Sequence, residues 1–154
     1  MMRYLSICCF LLLSSSLFAQ LPSKANKLIG VWKYKEGSGY EIWKSQGDVL
    51  IGEAYRVSTK TGDSSKVEDM VLSRVNSNLI YKMKTFNHLN DSVVTTTHNF
   101  VGSKRKMTFV NIDAITPYSI RYRIGFFNKK KMKIHIHYSR NDKGLKLNLF
   151  KVEE

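Results

Sequence analysis

The pair of residues with the clearest chemical potential is Glu41 and Trp43, which lie two positions apart in the segment GYEIW. On a β-strand, residues two apart point to the same face, so a core-facing Trp43 would bury the Glu41 carboxyl as well. Burial disfavours a charged carboxylate unless a basic group or hydrogen bonds compensate it. Such a group could orient a ligand or pair with an internal lysine or arginine. Alternatively, Glu41 is exposed or structural, and Trp43 packs with Trp32 as a floor of the core.

Other aromatic and acidic side chains extend this candidate ligand site along neighbouring predicted strands. Small β-barrels can hold one small ligand, and ligand sites combine a mostly apolar lining with a few placed polar groups. Carboxylates such as Glu41 and Glu53 could perform acid–base chemistry, but no spacing in the chain requires it. The sequence therefore predicts a pocket for a small, mostly apolar ligand, lined by Tyr40, Glu41, Trp43, Glu53, Tyr81 and Tyr122.

A second candidate site is a basic surface on three consecutive late strands. Alternation in YSIRYRIGF, KMKIHIHY and GLKLNLFKV places basic side chains opposite apolar ones. Paired in order, these strands would carry one patch, extended by residues 104–106 and 129–131. Such a patch would attract an anionic envelope component, lipid or polysaccharide, unless it is only a solvated face that keeps the protein soluble. Its predicted residues are Arg121, Arg123, Lys133, His135 and Lys146.

Metal binding and catalysis find less support in the sequence. His135 and His137 lie on one predicted strand face and would need a third ligand, such as His98, to hold a metal. The neighbouring Lys131 and Lys133 would repel a cation, so we expect no metal and no cofactor. The chain has no Gly-x-Ser-x-Gly motif, no phosphate-binding glycine loop and no cysteine after residue 9. We therefore do not expect the protein to be an enzyme. An enzyme on this fold would need several polar groups that converge in one cavity.

The elements that position these residues are predicted to be strands. Segments of alternating polarity between turn signals are typical of strands with one face on a core. In the clearest case Tyr118, Ile120, Tyr122 and Ile124 alternate with polar residues. About ten such strands, preceded by a short helical turn, favour an all-β fold, an up-and-down antiparallel barrel that leaves no free edge. A sandwich of two sheets is the alternative.

The first residues of the chain are typical of an export signal. Arg3 precedes an apolar run and a small residue, Ala19, which predicts a signal peptide over residues 1–19 with cleavage after Ala19. A lipid anchor on Cys8 is the alternative, although most of the apolar run follows that residue. Cleavage removes both cysteines, so residues 20–154 would form one domain without disulfides. We expect a monomer that is secreted or periplasmic.

Charge narrows the class of partner. The chain has 25 lysines and arginines against 12 aspartates and glutamates, a formal net charge of +13. Residues 70–154 hold sixteen of the basic residues and five of the acidic ones. Such a surplus attracts anionic partners. Because nucleic acid is scarce outside the cell, we expect no nucleic-acid partner for an exported protein.

A lead-in helix followed by Gly30-Val31-Trp32 resembles the opening of lipocalins and related calycin barrels. In that superfamily the tryptophan packs across the closed end of the barrel, and the glycine lets the chain turn into the first strand. The chain is also similar to a narrower family, small secreted bacterial lipocalin-like proteins of unknown function. That family has an acidic residue just before a tryptophan on the second strand, as Glu41 and Trp43 are here.

A late segment extends the resemblance over nearly the whole mature chain. The family reads approximately Phe-Glu-Asn-Pro-x-His-Asp-Phe-Pro and then Ile-x-Tyr. The framework residues are kept, whereas the polar positions are replaced by Val110, Ala114 and Ile115. The resemblance therefore implies a lipocalin-like barrel without that polar cluster. The matching framework residues are Phe109, Asn111, Pro117, Ile120 and Tyr122.

Overall fold

A computed structural model describes residues 21–89, 92–103, 106–113, 116–125 and 127–152. The predicted export signal with Ala19, the motif positions 114–115 and the basic residues 104–105 lie outside these ranges. Across the described ranges, no helix has the length and apolar character needed to cross a membrane. The elements are α1 Ser23–Asn26, β1 Gly30–Tyr34, β2 Gly39–Gln46, β3 Val49–Val57, β4 Ser64–Val75, β5 Asn78–Leu89, β6 Ser92–Ser103, β7 Thr108–Asn111, β8 Ser119–Ile124, β9 Lys131–His137 and β10 Leu145–Lys151.

The ten strands form one closed antiparallel barrel. Each strand pairs with its neighbours in sequence, and β10 closes the barrel by pairing with β1. This confirms the predicted all-β, up-and-down barrel with a short N-terminal helix, and the two-sheet sandwich is wrong. Closure pairs the first strand with the last, so neither is left as an edge that could pair with another chain.

One end of the barrel is closed by α1 and the start of β1. Ala25 and Leu28 are buried, and the fully buried Trp32 donates a hydrogen bond from Nε1 to the Leu28 carbonyl oxygen at 2.6 Å. Gly30 begins β1 with a φ of 126°, a conformation that favours glycine. The Lys151 ammonium lies 5.6 Å from the Trp32 ring centroid, within cation–π range. The Gly-x-Trp segment is therefore architectural.

Alternation along the strands fills the interior with apolar and aromatic side chains. Trp43 packs edge-on against Tyr122, with ring centroids 5.9 Å apart, and Tyr81 lies 5.1 Å from Phe109. A Cβ atom at Gly52 would meet the Trp43 ring at 2.9 Å, so only glycine lets the indole lie against the β3 backbone. The core adjacent to Trp43 is thus fixed by aromatic contacts and one close backbone approach.

The pairing of β3 with β4 contains a β-bulge. Ala54 pairs with Glu68, but Tyr55 pairs with Lys66, so Val67 is the extra residue on β4. An extra residue resets the alternation of side chains beyond it. As a result Glu68 lies on the inner face with Ala54, whereas Lys66 lies on the outer face with Tyr55.

Candidate functional site

A cavity of about 440 Å³ lies inside the barrel, toward the end opposite α1. Its lining includes Tyr34 at the end of β1, Pro117 just before β8 and Tyr138 just after β9, which all belong to that end. Carboxyl and hydroxyl groups of Glu41, Glu68 and Thr85 also line it. Its apolar wall consists of Met83, Ile120, Ile134, Ile136 and Leu147.

Glu41 is the most buried acid of the cavity, with 2% of its surface exposed. Its Oε1 accepts a hydrogen bond from the Tyr34 hydroxyl at 3.0 Å, and its Oε2 accepts one from Nε1–H of Trp43 at 2.9 Å. Burial raises the pKa of Glu41 to about 7, although both hydrogen bonds favour the charged form. Burial and the negative charge of Glu41 raise the pKa of Tyr34, so its hydroxyl stays protonated as a donor.

Glu68 is a second acid in the cavity, and it is not among the site residues predicted from the sequence. The strand register places Glu41 opposite Ala54 and Ala54 opposite Glu68, so the two acids flank one small side chain. With neighbouring strands about 4.8 Å apart, their backbones are about 10 Å apart. Burial, together with the negative charge of Glu41, raises the pKa of Glu68 to about 7. Its spacing of two from the buried Met70 is the signal that could have placed it inside.

Two tyrosines complete the polar part of the interior. The hydroxyl oxygens of Tyr81 and Tyr122 lie 3.2 Å apart, and the Tyr122 hydroxyl lies 3.7 Å from Sδ of Met70. Burial raises the pKa of both tyrosines, so both stay neutral. The structure thus brings four of the six predicted ligand-site residues to the inner face: Glu41, Trp43, Tyr81 and Tyr122. Glu41, Tyr81 and Tyr122 line the cavity, whereas Trp43 does not line it and packs against Tyr122 instead.

The other two predicted pocket residues lie on the outer face, so the prediction that Tyr40 and Glu53 line the pocket is wrong. Tyr40 stacks on Tyr55 with ring centroids 4.9 Å apart. Glu53 accepts hydrogen bonds from the Lys66 ammonium and the Tyr55 hydroxyl, and the bond from Lys66 lowers the pKa of Glu53. The physical reason is the alternation of side chains along and across strands. Tyr40 is adjacent in sequence to the inward Glu41 and therefore points outward. Glu53 pairs with the outward Ile42 and lies on the same face as it.

The predicted basic patch exists on the outer face. The register sets Arg121 beside His135 and His135 beside Lys146, with Arg123 beside Lys133 one row away. The expectation that β8, β9 and β10 pair in order is therefore confirmed. His135 contributes little charge at neutral pH, because partial burial and the neighbouring Lys146 lower its pKa.

A groove of about 700 Å³ lies at the α1 end of this patch. It adds lysines from the helix and the loops to the strand arginines, and its described lining contains no aspartate or glutamate. The walls between the charges are formed by Tyr122, Ile124 and Gly125. His135 and Lys146 are not part of the lining. The basic groove, as we call it, carries Lys24, Lys27, Lys106, Arg121, Arg123, Lys131 and Lys133.

The three histidines considered as metal ligands do not converge. The rings of His135 and His137 lie 5.8 Å apart on the outer face of β9, and Nδ1 of His137 contacts Asp142 at 3.1 Å. His98 is buried on the inner face of β6, where it pairs with Met83. Within the described ranges, no group of three or more histidine, cysteine, aspartate or glutamate residues is placed to hold a metal.

Comparisons with protein-family models, curated proteins and solved structures found no match. Membership of the lipocalin-like family therefore stays a prediction, and it rests on the matching residues of the sequence. Several of these residues have contacts suited to framework roles. Trp32 caps the α1 end, Phe109 is fully buried, and the Asn111 side-chain amide donates to the Pro117 carbonyl oxygen at 3.1 Å.

Proposed function

We propose that this protein is an exported, lipocalin-like binding protein that holds one small, mostly apolar ligand inside its barrel. The observation that carries the proposal is the interior cavity of about 440 Å³, which has an aliphatic wall on one side and carboxyl and hydroxyl groups on the other. Ligand pockets have volumes of roughly 300–1,000 Å³ and combine apolar walls with placed polar groups. Export to the periplasm or the exterior is supported by the signal-like segment over residues 1–19. A monomer is supported by the closure of the barrel, which leaves neither β1 nor β10 as a free edge.

Binding fits the cavity better than catalysis does. The carboxyls of Glu41 and Glu68 with the Tyr34 hydroxyl are polar groups converging in one cavity, which an enzyme would need. However, both oxygens of Glu41 already accept hydrogen bonds, from Tyr34 and Trp43. A carboxyl held in this way is suited to act as a fixed acceptor for a bound molecule. The proposed role requires no cofactor.

Native mass spectrometry of the protein, purified gently from its own host, tests the proposal directly. We expect a bound small molecule of fixed mass that is lost on denaturation. Titration with lipids and metabolites should also change the fluorescence of Trp43, because its ring contacts the cavity-lining Tyr122. A Trp32→Phe variant assigns the signal to Trp43. Protein that never carries a small molecule and never responds in fluorescence would contradict the proposal.

A second candidate function is binding of an anionic envelope component, lipid or polysaccharide, at the basic groove. The observation that favours it is the seven basic side chains in a lining without described acidic residues. Such a cluster of positive charges raises the local concentration of anions and the rate at which they encounter the protein.

Salt dependence and charge reversal test this second function. Binding to vesicles that contain an anionic phospholipid, or to a polyuronate, should weaken steeply between low and high ionic strength. The triple variant Arg121→Glu, Arg123→Glu, Lys133→Glu should abolish it. The control reverses three basic residues away from the groove, Lys44, Lys60 and Lys82, and should retain binding. Binding that does not change with ionic strength and that persists in the variant with Arg121, Arg123 and Lys133 reversed would rule this function out.

A further inference from the structure

The ionisable groups of the interior cavity are unusual for a protein with a net charge of +13. They are the carboxyls of two glutamates and the hydroxyls of four tyrosines, whereas the described lining contains no lysine, arginine or histidine. A bound anion would face two acids without a counter-charge. A bound cation would supply the counter-charge that the protein itself does not. The groups in question are Glu41, Glu68, Tyr34, Tyr81, Tyr122 and Tyr138.

The strand register concentrates the acids. Glu41, Ala54 and Glu68 form one row across β2, β3 and β4, and Thr85 of β5 continues that row beside Glu68. The methyl side chain of Ala54 leaves space between the two carboxyls. A carboxylate has about four acceptor positions, so Glu41 retains some beside its two internal hydrogen bonds. An ammonium group, with three donors, matches this row of oxygens.

The remaining walls suit the rest of such a molecule. The rings of Tyr34, Tyr81 and Tyr122 border the cavity near the acids, and aromatic faces attract cations. Ile134 and Ile136 supply apolar surface on the β9 side. A head group with positive charge would therefore meet carboxyls and rings, while an alkyl or aryl body would contact aliphatic side chains.

We propose that the cavity selects a ligand with a cationic ammonium head on an apolar body, an inference that rests on the proposed ligand-binding function. The head group lies between Glu41 and Glu68, and the apolar body extends along β9. Neutral molecules of the same shape bind more weakly, and anionic ones most weakly.

This selectivity depends on pH. The titratable groups that face Glu41 are Tyr34 on β1, Glu68 on β4, Tyr81 on β5 and Tyr122 on β8. The tyrosines stay protonated, so the two carboxyls alone change charge near neutrality. Because the pKa of each carboxyl is raised to about 7, both are largely protonated at acidic pH and ionised in mild alkali. An aliphatic amine, with a pKa near about 10, stays charged throughout. Affinity for ammonium ligands should therefore rise from acidic to mildly alkaline pH.

Calorimetric titration of the mature protein with octylammonium, octanol and octanoate tests the inference. The three probes share one chain and differ in the head group. In mild alkali we expect octylammonium to bind at least about tenfold more tightly than octanol, since hydrogen bonds to charged groups have this strength. Glu68→Gln should remove most of that preference, because it should lower the affinity for octylammonium far more than the affinity for octanol. The outer-face control Glu53→Gln should leave all three affinities unchanged.

The outcomes separate this inference from the proposed function. Octanol or octanoate bound at least as tightly as octylammonium would overturn the ammonium preference and leave the cavity a ligand site. Failure of all three probes to bind would count against both. If Glu68→Gln unfolds, as circular dichroism would show, Glu41→Gln serves as the second variant. A preference that persists in a folded variant of either carboxyl would also overturn the inference.

Discussion

The indole N–H of Trp43 donates a hydrogen bond of 2.9 Å to Oε2 of Glu41, its same-face neighbour two positions earlier on β2. The Tyr34 hydroxyl holds the other carboxyl oxygen at 3.0 Å. A carboxyl held at both oxygens by side chains of a closed barrel has a fixed orientation, and Glu41 presents it to the cavity. The buried acid is therefore both part of the framework and part of the site.

Removing this carboxyl should destabilise the fold. Glu41→Ala leaves the buried Trp43 N–H and Tyr34 hydroxyl without their partner, and we expect it to lower the free energy of unfolding by about 2–4 kcal/mol. Glu41→Gln should cost less, because its amide oxygen still accepts a hydrogen bond. Urea unfolding followed by circular dichroism measures both. The outer-face control Glu53→Ala removes a half-exposed ion pair and should cost under about 1 kcal/mol. An equal loss in the two alanine variants would show that the hydrogen bonds contribute little.

The two interior acids should make stability depend on pH. Their pKa values are raised from 4.5 to about 7, so the folded state favours the protonated form. This contribution is complete below about pH 4.5 and is lost as the pH rises through about 7. Relative to the double variant Glu41→Gln, Glu68→Gln, the wild type should lose stability between pH 5 and about 8.

The double variant is the right reference because other groups titrate in the same range. The pKa values of His98 and His135 are lowered by burial, which gives a pH dependence of opposite sign in the wild type. Both histidines are present in the variant, so the difference between the two unfolding curves isolates the acids. A difference that does not change with pH would contradict the raised pKa values.

Filling the cavity should block ligand binding while preserving the fold. Ile136→Trp places a larger side chain into a space of about 440 Å³, and we expect octanol affinity to fall at least about tenfold. Stability should change by less than about 2 kcal/mol, because the added volume enters a cavity rather than a filled core. Val71→Trp, on the outer face of β4, is the matched control. If both variants bind octanol equally, the ligand lies elsewhere.

The α1 end of the barrel should depend on Trp32. Trp32→Ala removes a fully buried ring and its hydrogen bond to the Leu28 carbonyl, so we expect a loss of about 3–5 kcal/mol in the free energy of unfolding. Lys151→Ala removes the neighbouring cation and should cost about 1 kcal/mol or less. Chemical denaturation with tyrosine fluorescence, which both variants retain, compares them. A loss at Trp32 no larger than that at Lys151 would show that the ring does not anchor this end.

The architecture and part of the site could be predicted from the sequence. Alternation with period two is a local property of each strand, and it correctly placed Ile120, Tyr122 and Ile134 inside. The shared face of Glu41 and Trp43 follows from the same rule. Tyr40 lies three positions before Trp43, and this spacing places the two residues on opposite faces of a regular strand. The assignment of Tyr40 to the pocket together with Trp43 therefore disagrees with the alternation itself.

The remaining errors concern relations between strands. Whether Glu53 shares a face with Glu41 depends on the register of β2 with β3, which pairs Glu53 with Ile42. Glu68 was missed because its segment, KVEDMVL, has apolar residues at both parities and therefore no clear alternation. Register and bulges are set by long-range pairing, which a single strand's sequence does not encode.

The bulge at Val67 determines how the charge of the barrel interior can change by mutation. Had β4 kept regular alternation past Glu68, Lys66 would stand on the inner face two positions away, and its ammonium would neutralise that carboxyl. The bulge therefore keeps the ammonium of Lys66 away from the two interior carboxyls. A residue inserted in β3 opposite Val67 would restore regular pairing and turn Lys66 inward, so a single insertion would change the charge of the interior without replacing any side chain of its wall.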